Sequence, residues 1–146
     1  MDLFRRPRRL RKNAAIRDLV RETEVRVTDL VAPLFLKPDG GGEPIETLPG
    51  QSRLSPASMN RELTELKELG IRAVALFPVM PVDRKDATGT AALNRDNFFY
   101  TALRELKAAH PELVFFIDVA LDPYTTHGHD GVLNAEGEVD NDATVE

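Results

Sequence analysis

The apolar positions of the chain fall into two rhythms. Residues 30–36, 71–77 and 113–120 are apolar at nearly every position, as in strands buried on both faces. Between them the spacing is helical. Met59, Leu63 and Leu66 share one face, Ser55-Pro56 supplies an N-cap and a first-turn proline, and Gly70 stands where a C-terminal cap is expected. Phe99, Ala102, Leu103 and Leu106 repeat at i, i+3, i+4 and i+7, predicting a helix from Asn94 or Asp96 to Ala109 that Pro111 stops. Ile16, Leu19 and Val20 mark a short helix within 14–22. Residues 43–53 and 82–93 read as loops, the second polar and rich in Gly and Thr. Residues 131–140 suit a small hairpin centred on Asn134-Ala135-Glu136-Gly137, and Asn141 or Asp142 caps a helix starting at Ala143.

Apolar strands alternating with helices indicate an α/β fold with a parallel sheet covered on both faces. A doubly wound sheet and a TIM (β/α)₈ barrel are the two candidates. The run Gly40-Gly41-Gly42 lacks the spacing of a dinucleotide-binding turn and has no helix directly after it. Long loops after the second and third strands favour the barrel, whose active sites lie on such loops. A barrel takes about 250 residues, so the 146 residues here are expected to be its N-terminal part, about three β/α units. Three strands and two helices are then expected to leave an open edge at the third strand and an uncovered face of the sheet, and the chain poorly stable in isolation.

Composition narrows the class. Apolar residues make up 42% and charged residues 29%, a globular balance. No stretch approaches ~20 consecutive apolar residues, and the charged N-terminus has no apolar signal core, so no membrane association is expected. With no cysteine, the sequence contains neither disulfides nor thiolate metal ligands. The net charge of −5 is unevenly spread, since residues 1–26 hold nine of the nineteen Lys and Arg but only four of the twenty-four acids. Residues 1–26 are read as a basic arm and 27–146 as the partial barrel domain. The polybasic run 5–12 lacks the interleaved aromatics that stack on bases, which favours packing on another subunit over nucleic-acid binding.

Candidate chemistry gathers in residues 118–131, DVALDPYTTHGHDG. Asp118 ends an otherwise apolar strand. Strand alternation would put Asp118, Ala120 and Asp122 on one face while the chain stays extended. His127, His129 and Asp130 follow, with Gly128 and Gly131 permitting tight turns. Carboxylates converging at the mouth of a barrel could orient an ammonium group or hold a proton. Taken singly, each residue has an ordinary structural role open to it: Asp118 as a cap, Asp122-Pro123 as a turn, the histidines as hydrogen-bonding groups. The ordered set is the more specific signal.

This loop resembles the metal-site loop of the porphobilinogen synthase (5-aminolevulinate dehydratase) family, in the branch without catalytic-site zinc. Arg9-Leu10-Arg11, Leu19-Val20-Arg21-Glu22-Thr23, Leu48-Pro49-Gly50, Leu76-Phe77-Pro78-Val79 and Asn141-Asp142 also fall where that family has like segments. The resemblance implies a (β/α)₈ barrel whose N-terminal arm wraps a neighbouring subunit, commonly in octamers. The implied reaction condenses two 5-aminolevulinate molecules into porphobilinogen, with loss of two waters, for tetrapyrrole synthesis in the cytoplasm or a plastid. By resemblance Asp118, Asp122 and Asp130 are catalytic-site carboxylates and Phe77 is a wall of the substrate pocket. Ala120, Asp122 and Asp130 occupy the zinc-cysteine positions of the other branch. Oxygen ligands suit Mg²⁺ or no metal, whereas thiolates select zinc. An allosteric Mg²⁺ is implied, with its ligands mostly outside these residues. The family's two Schiff-base lysines also lie outside them, and none of Lys12, Lys37, Lys67, Lys85 and Lys107 is expected at a strand C-terminus with suitable surroundings. The chain alone is therefore expected to be inactive.

Two other readings compete. An amidohydrolase-type metal enzyme also carries an H-x-H pair on a barrel, but at the end of its first strand, whereas His127 and His129 follow the third. A non-enzymatic binding module using the basic arm leaves the 118–131 loop without a role.

Overall fold

The computed structural model describes residues 7–145. Arg5, Arg6 and Glu146, at the two ends of the sequence reading, lie outside them. The described residues begin with a 3-10 turn, Pro7–Arg11, and a short helix α1, Ala14–Leu19, capped by Asn13, whose Oδ1 accepts the Ile16 N–H at 2.9 Å. The helix stops earlier than its apolar pattern suggests. Six residues form too few internal hydrogen bonds to stand alone, and Leu19 is 86% exposed.

Five strands form one sheet in the order β2-β3-β1-β4-β5. They are β1 Val31–Leu36, β2 Glu43–Pro44, β3 Ser52–Leu54, β4 Ala73–Pro78 and β5 Val114–Ile117. β1 is parallel to β3 and β4, and β4 is parallel to β5; only the β2–β3 pair is antiparallel. The two small strands replace the loop expected over 43–53. They are too short and polar to show a strand period; β3 pairs with β1 as well as β2, and Glu43 meets Arg53 across the β2–β3 pair.

Helix α2, Pro56–Glu68, starts as expected: Ser55 Oγ accepts the Ser58 N–H and Pro56 occupies the first turn. Gly70 ends it at φ +86°, a left-handed conformation in which a Cβ would be strained. Helix α3, Phe98–Ala109, starts later than either Asn94 or Asp96. Its cap is Asn97, whose Oδ1 accepts the Tyr100 N–H while its Nδ2 donates to the Ala91 carbonyl. Asn94 instead closes a separate turn by accepting the Asp96 N–H. Helix α4, Asn141–Val145, is capped by Asp140, ahead of the expected Asn141 or Asp142. The hairpin before it is a single bridge, Leu133 to Val139, with Asn134 Oδ1 accepting the Glu136 and Glu138 N–H groups.

The sheet runs β1, β4, β5 in one direction. Parallel crossovers of uniform right hand then put successive helices on one side, and α2 and α3 do share one core. Leu34, Leu36, Val74 and Leu76 pack there with Met59, Leu63, Leu66, Phe99, Ala102, Leu106 and Leu113. The opposite face, expected to stay uncovered in so short a part of a barrel, carries no helix among the described residues. Val31, Val114 and Phe116 are about half exposed there, and Phe35 stacks on Phe77 with ring centroids 5.7 Å apart. β5 also forms an outer edge of the described sheet, as the strand order anticipated.

At the far end of α3 the buried His110 pairs through Nε2 with Asn60 Oδ1 at 2.7 Å, and its Nδ1 finds no partner. Burial, with a lesser push from Lys67, lowers its pKa from the ordinary 6.5, against an opposing pull from Glu112. The unfolded chain therefore takes up a proton before the folded one does, so stability falls as pH drops below about 6.5. Urea unfolding followed between pH 7.5 and 5 is expected to show this fall, and His110→Gln is expected to flatten it. An unchanged slope in the variant would assign the fall to other groups.

Candidate active site

All three main parallel strands point their C-terminal ends the same way, so the loops after β4 and β5 leave from one rim. β5 stops at Ile117 instead of continuing to Ala120, because its partner β4 ends at Pro78, which has no N–H with which to extend the ladder. This shortening corrects the strand-face argument. Asp118 is the first residue past the strand, and Asp122 lies in a turn in which the Tyr124 and Thr125 N–H groups both donate to the Leu121 carbonyl.

A cavity of about 460 Å³ opens beside this loop, between the start of α3 and α4. Asp118, Ala120 and Asp130 line it, together with Phe99, Tyr100 and Tyr124. Asp122 and Phe77 do not line it. Phe77 sits on the open face of the sheet against Phe35. Asp130 is tied back to the start of the loop, its Oδ1 accepting the Leu121 N–H at 2.5 Å. The charges of Asp118 and Asp130 still reach Asp122. The Asp122 carboxyl is pushed above its ordinary 3.8 by partial burial first, then by the charges of Asp130 and Asp118, with Lys85 opposing.

The histidines hold backbone. His127 Nδ1 accepts the His129 N–H at 3.1 Å, and its Nε2 donates to the Ala87 carbonyl at 3.0 Å. That pair of bonds fixes the neutral tautomer protonated at Nε2. The rings of His127 and His129 are 5.5 Å apart, yet among the described residues no three His, Asp or Glu side chains converge closely enough to hold a metal ion.

Sequence reasoning passed over the loop after β4. Asp86 forms a bridge to Thr125, and its carboxylate accepts from the N–H and hydroxyl groups of Thr88 and Thr90. These donors, Thr90's first, hold its carboxyl at about 2. The signal was present as Asp86-x-Thr88-x-Thr90 around Gly89, a spacing in which one carboxylate reaches several following N–H groups. Tyr124 and Thr125, almost wholly buried, were also missed because they sit inside a polar run. Burial raises the Tyr124 pKa, helped by the neighbouring Tyr100, so its hydroxyl stays protonated at the cavity wall.

Lys37 directly follows β1 at the rim. Its ammonium is committed to Glu43 at 3.1 Å.

The acidic cluster makes a measurable prediction. Asp130→Asn keeps an oxygen for the Leu121 N–H but removes a charge near Asp122. Carboxyl titration by NMR is expected to show the Asp122 pKa falling in this variant while staying above 3.8, because burial is the larger cause. No movement would show that the two carboxyls are uncoupled.

Comparison with known proteins bears on residues 4–146, which match the family model described as delta-aminolevulinic acid dehydratase. The enzyme of that name from Chlamydia pneumoniae is 48% identical over 146 residues, covering 99% of this chain and 44% of the relative. The chloroplastic enzyme of Selaginella martensii is 41% identical over 144 residues, covering 98% of this chain and 34% of the relative. A crystal structure of the Toxoplasma gondii ME49 enzyme (porphobilinogen synthase), in complex with the reaction product porphobilinogen, superposes with a TM-score of 0.89 at 41% identity. It covers 98% of this chain and 41% of that one. The chain thus spans less than half the length of each of these relatives.

Proposed function

Because the chain belongs to the delta-aminolevulinic acid dehydratase family, we propose that it supplies the first β/α units of a (β/α)₈ barrel and one acidic wall of a site that condenses two 5-aminolevulinate molecules into porphobilinogen. The observation that carries this reading is the likeness to the product-bound Toxoplasma gondii structure over 98% of the chain. The open apolar face of the sheet suits the inside of such a barrel. The rim with Asp118, Asp122 and Asp130 suits its catalytic end.

In this reading the carboxylates act on the amines. A site that admits two amino-ketone substrates has to hold at least one ammonium and accept protons as C–C and C–N bonds form and two waters leave. Asp118 and Asp130 border the cavity and can take an ammonium there. Asp122, with its raised pKa, is suited to hold or pass a proton. Phe77 forms an apolar wall on the inner face. The lysine amines of the family's Schiff-base chemistry come from outside residues 1–146. The chain provides no substitute, since the rim lysine Lys37 is ion-paired.

The donor set at Ala120, Asp122 and Asp130 does not fit a thiolate zinc site, so no step here runs through catalytic zinc. An allosteric Mg²⁺ held mainly by other residues, an octamer assembled through the basic arm, and a cytoplasmic or plastid setting complete the proposal. The plant relative's name, which includes "chloroplastic", supports the last. Among the described residues no helix is long and apolar enough to cross a membrane.

The test is porphobilinogen formation by the full-length gene product. Turnover is expected without stoichiometric zinc and with stimulation by Mg²⁺. Asp118→Asn or Asp130→Asn is expected to lower kcat/KM by about 10²-fold or more, as for a lost charged contact made to the reacting groups. Failure to consume 5-aminolevulinate, or activity that tracks bound zinc one to one, would overturn the proposal.

A further inference from the structure

The loop after β4 and the loop after β5 are joined by a set of contacts that the acidic cluster itself does not use. The Asp86 N–H donates to the Tyr124 carbonyl, and the Thr126 N–H donates to the Asp86 carbonyl at 2.9 Å. His127 reaches across to the Ala87 carbonyl at 3.0 Å. Gly89 is buried at φ +67°, where an added Cβ would stand 3.2 Å from Leu121 Cδ2 and 3.5 Å from Thr125 Cγ2. Thr125 Oγ1 donates to the His129 carbonyl at 3.0 Å, closing the far side.

The order of dependence can be followed along the chain. The Asp86 carboxylate accepts from Thr88 and Thr90 and so shapes the 86–90 turn. That turn sets the height of two carbonyls, Asp86's and Ala87's, and presents the bare backbone of Gly89. These three features grip Leu121, Thr125, Thr126 and His127. Leu121 in turn donates its N–H to Asp130, so the place of Asp130 at the cavity follows from the shape of a turn in the other loop.

We infer that Asp86 and His127 are positioning residues which, through the clasp of the 86–90 turn on residues 121–127, set the placement of the Asp118–Asp130 carboxylates for the substrate amine. The inference rests on the proposed reaction for its kinetic readout only; the clasp itself is read independently by amide exchange. The deciding bond is the one between loops, from His127 Nε2 to Ala87. The local bond from the His129 N–H to His127 Nδ1 is secondary.

The two bonds can be separated. A glutamine at 127 can reproduce the reach of Nε2, and an asparagine can reproduce only the acceptor at Nδ1. In the full-length gene product, Asp86→Ala and His127→Ala are expected to raise KM for 5-aminolevulinate and lower kcat/KM about tenfold or more, the scale set by misplacing a reacting group by a fraction of an ångström to an ångström. Circular dichroism should show the same folded fraction. His127→Gln is expected to recover most of the loss and His127→Asn little of it. Hydrogen exchange is expected to quicken at Leu121 and Thr126 in the alanine variants, with the α2 and α3 amides unchanged. Recovery by Asn but not Gln, a loss that follows the folded fraction with KM unchanged, or exchange that quickens everywhere would each overturn the inference. If the wild-type protein makes no porphobilinogen, the proposed reaction fails, and the exchange at Leu121 and Thr126 still decides whether the clasp holds the loop.

Discussion

The parallel pairing of β1 with β4 runs through six residue pairs, from Val31 with Ala73 to Leu36 with Pro78. Because the strands are parallel and in this register, Leu34, Leu36, Val74 and Leu76 all face α2 and α3, while Phe35 and Phe77 meet on the other side. A slip of one residue would reverse both sets. The parallel pairing of β4 with β5 brings the loops after those strands out of one rim, so their approach is a consequence of strand direction before any side chain in them is considered. The clasp between those loops refines a proximity that the sheet has already imposed.

Within the rim, backbone and charge have different duties. Thr125, His127 and Asp86 use their polar atoms on peptide groups, satisfying donors and acceptors that a long loop would otherwise leave to water. Asp118 and Asp130 border the cavity, and Asp122 sits on the adjoining turn. Burial first, and then the charges of Asp130 and Asp118, raise the Asp122 pKa. A loop built of hydrogen-bonded backbone can hold like charges together because its shape does not depend on those charges attracting anything.

Much of this was legible in the sequence, and the failures have causes. Ser55-Pro56 and Gly70 bracket α2 through local backbone chemistry, which sequence reports directly. The start of α3 was misplaced because Asn94, Asp96 and Asn97 are all capable caps; what selects Asn97 is the Ala91 carbonyl that its amide also reaches, a contact six residues back. The length of β5 depended on Pro78, a residue of another strand. The small β2–β3 pair depended on β3 pairing with β1, a strand more than ten residues earlier. Asp118 and Asp130 were identified from their place in an ordered motif and do border the cavity. Strand alternation does not align Asp122 with Asp118, because the ladder ends at Ile117 and Asp122 lies in a turn. The clasp went unread because the Asp86 turn and the 121–127 segment are more than thirty residues apart and neither is apolar.

These placements bear on what the acidic rim can serve. Ala120 and Asp130 border the cavity, but Asp122 sits on the adjoining turn, so the three positions do not close on a single point. Ion coordination requires ligands at nearly equal short distances from one centre, whereas an ammonium is held by charge and by two or three hydrogen bonds of ordinary length. Two carboxylates bordering an apolar hollow, with a third on the adjoining turn, meet the second requirement better than the first. On the proposed reading, replacing thiolates by carboxylates and alanine at these positions transfers the task of fixing the substrate amine from a metal to the charge of the loop. The demand on the loop's placement then rises, because an ammonium is oriented less firmly by separated carboxylates than by one metal centre. That demand is the physical reason to expect a structure such as the Asp86 turn beneath it.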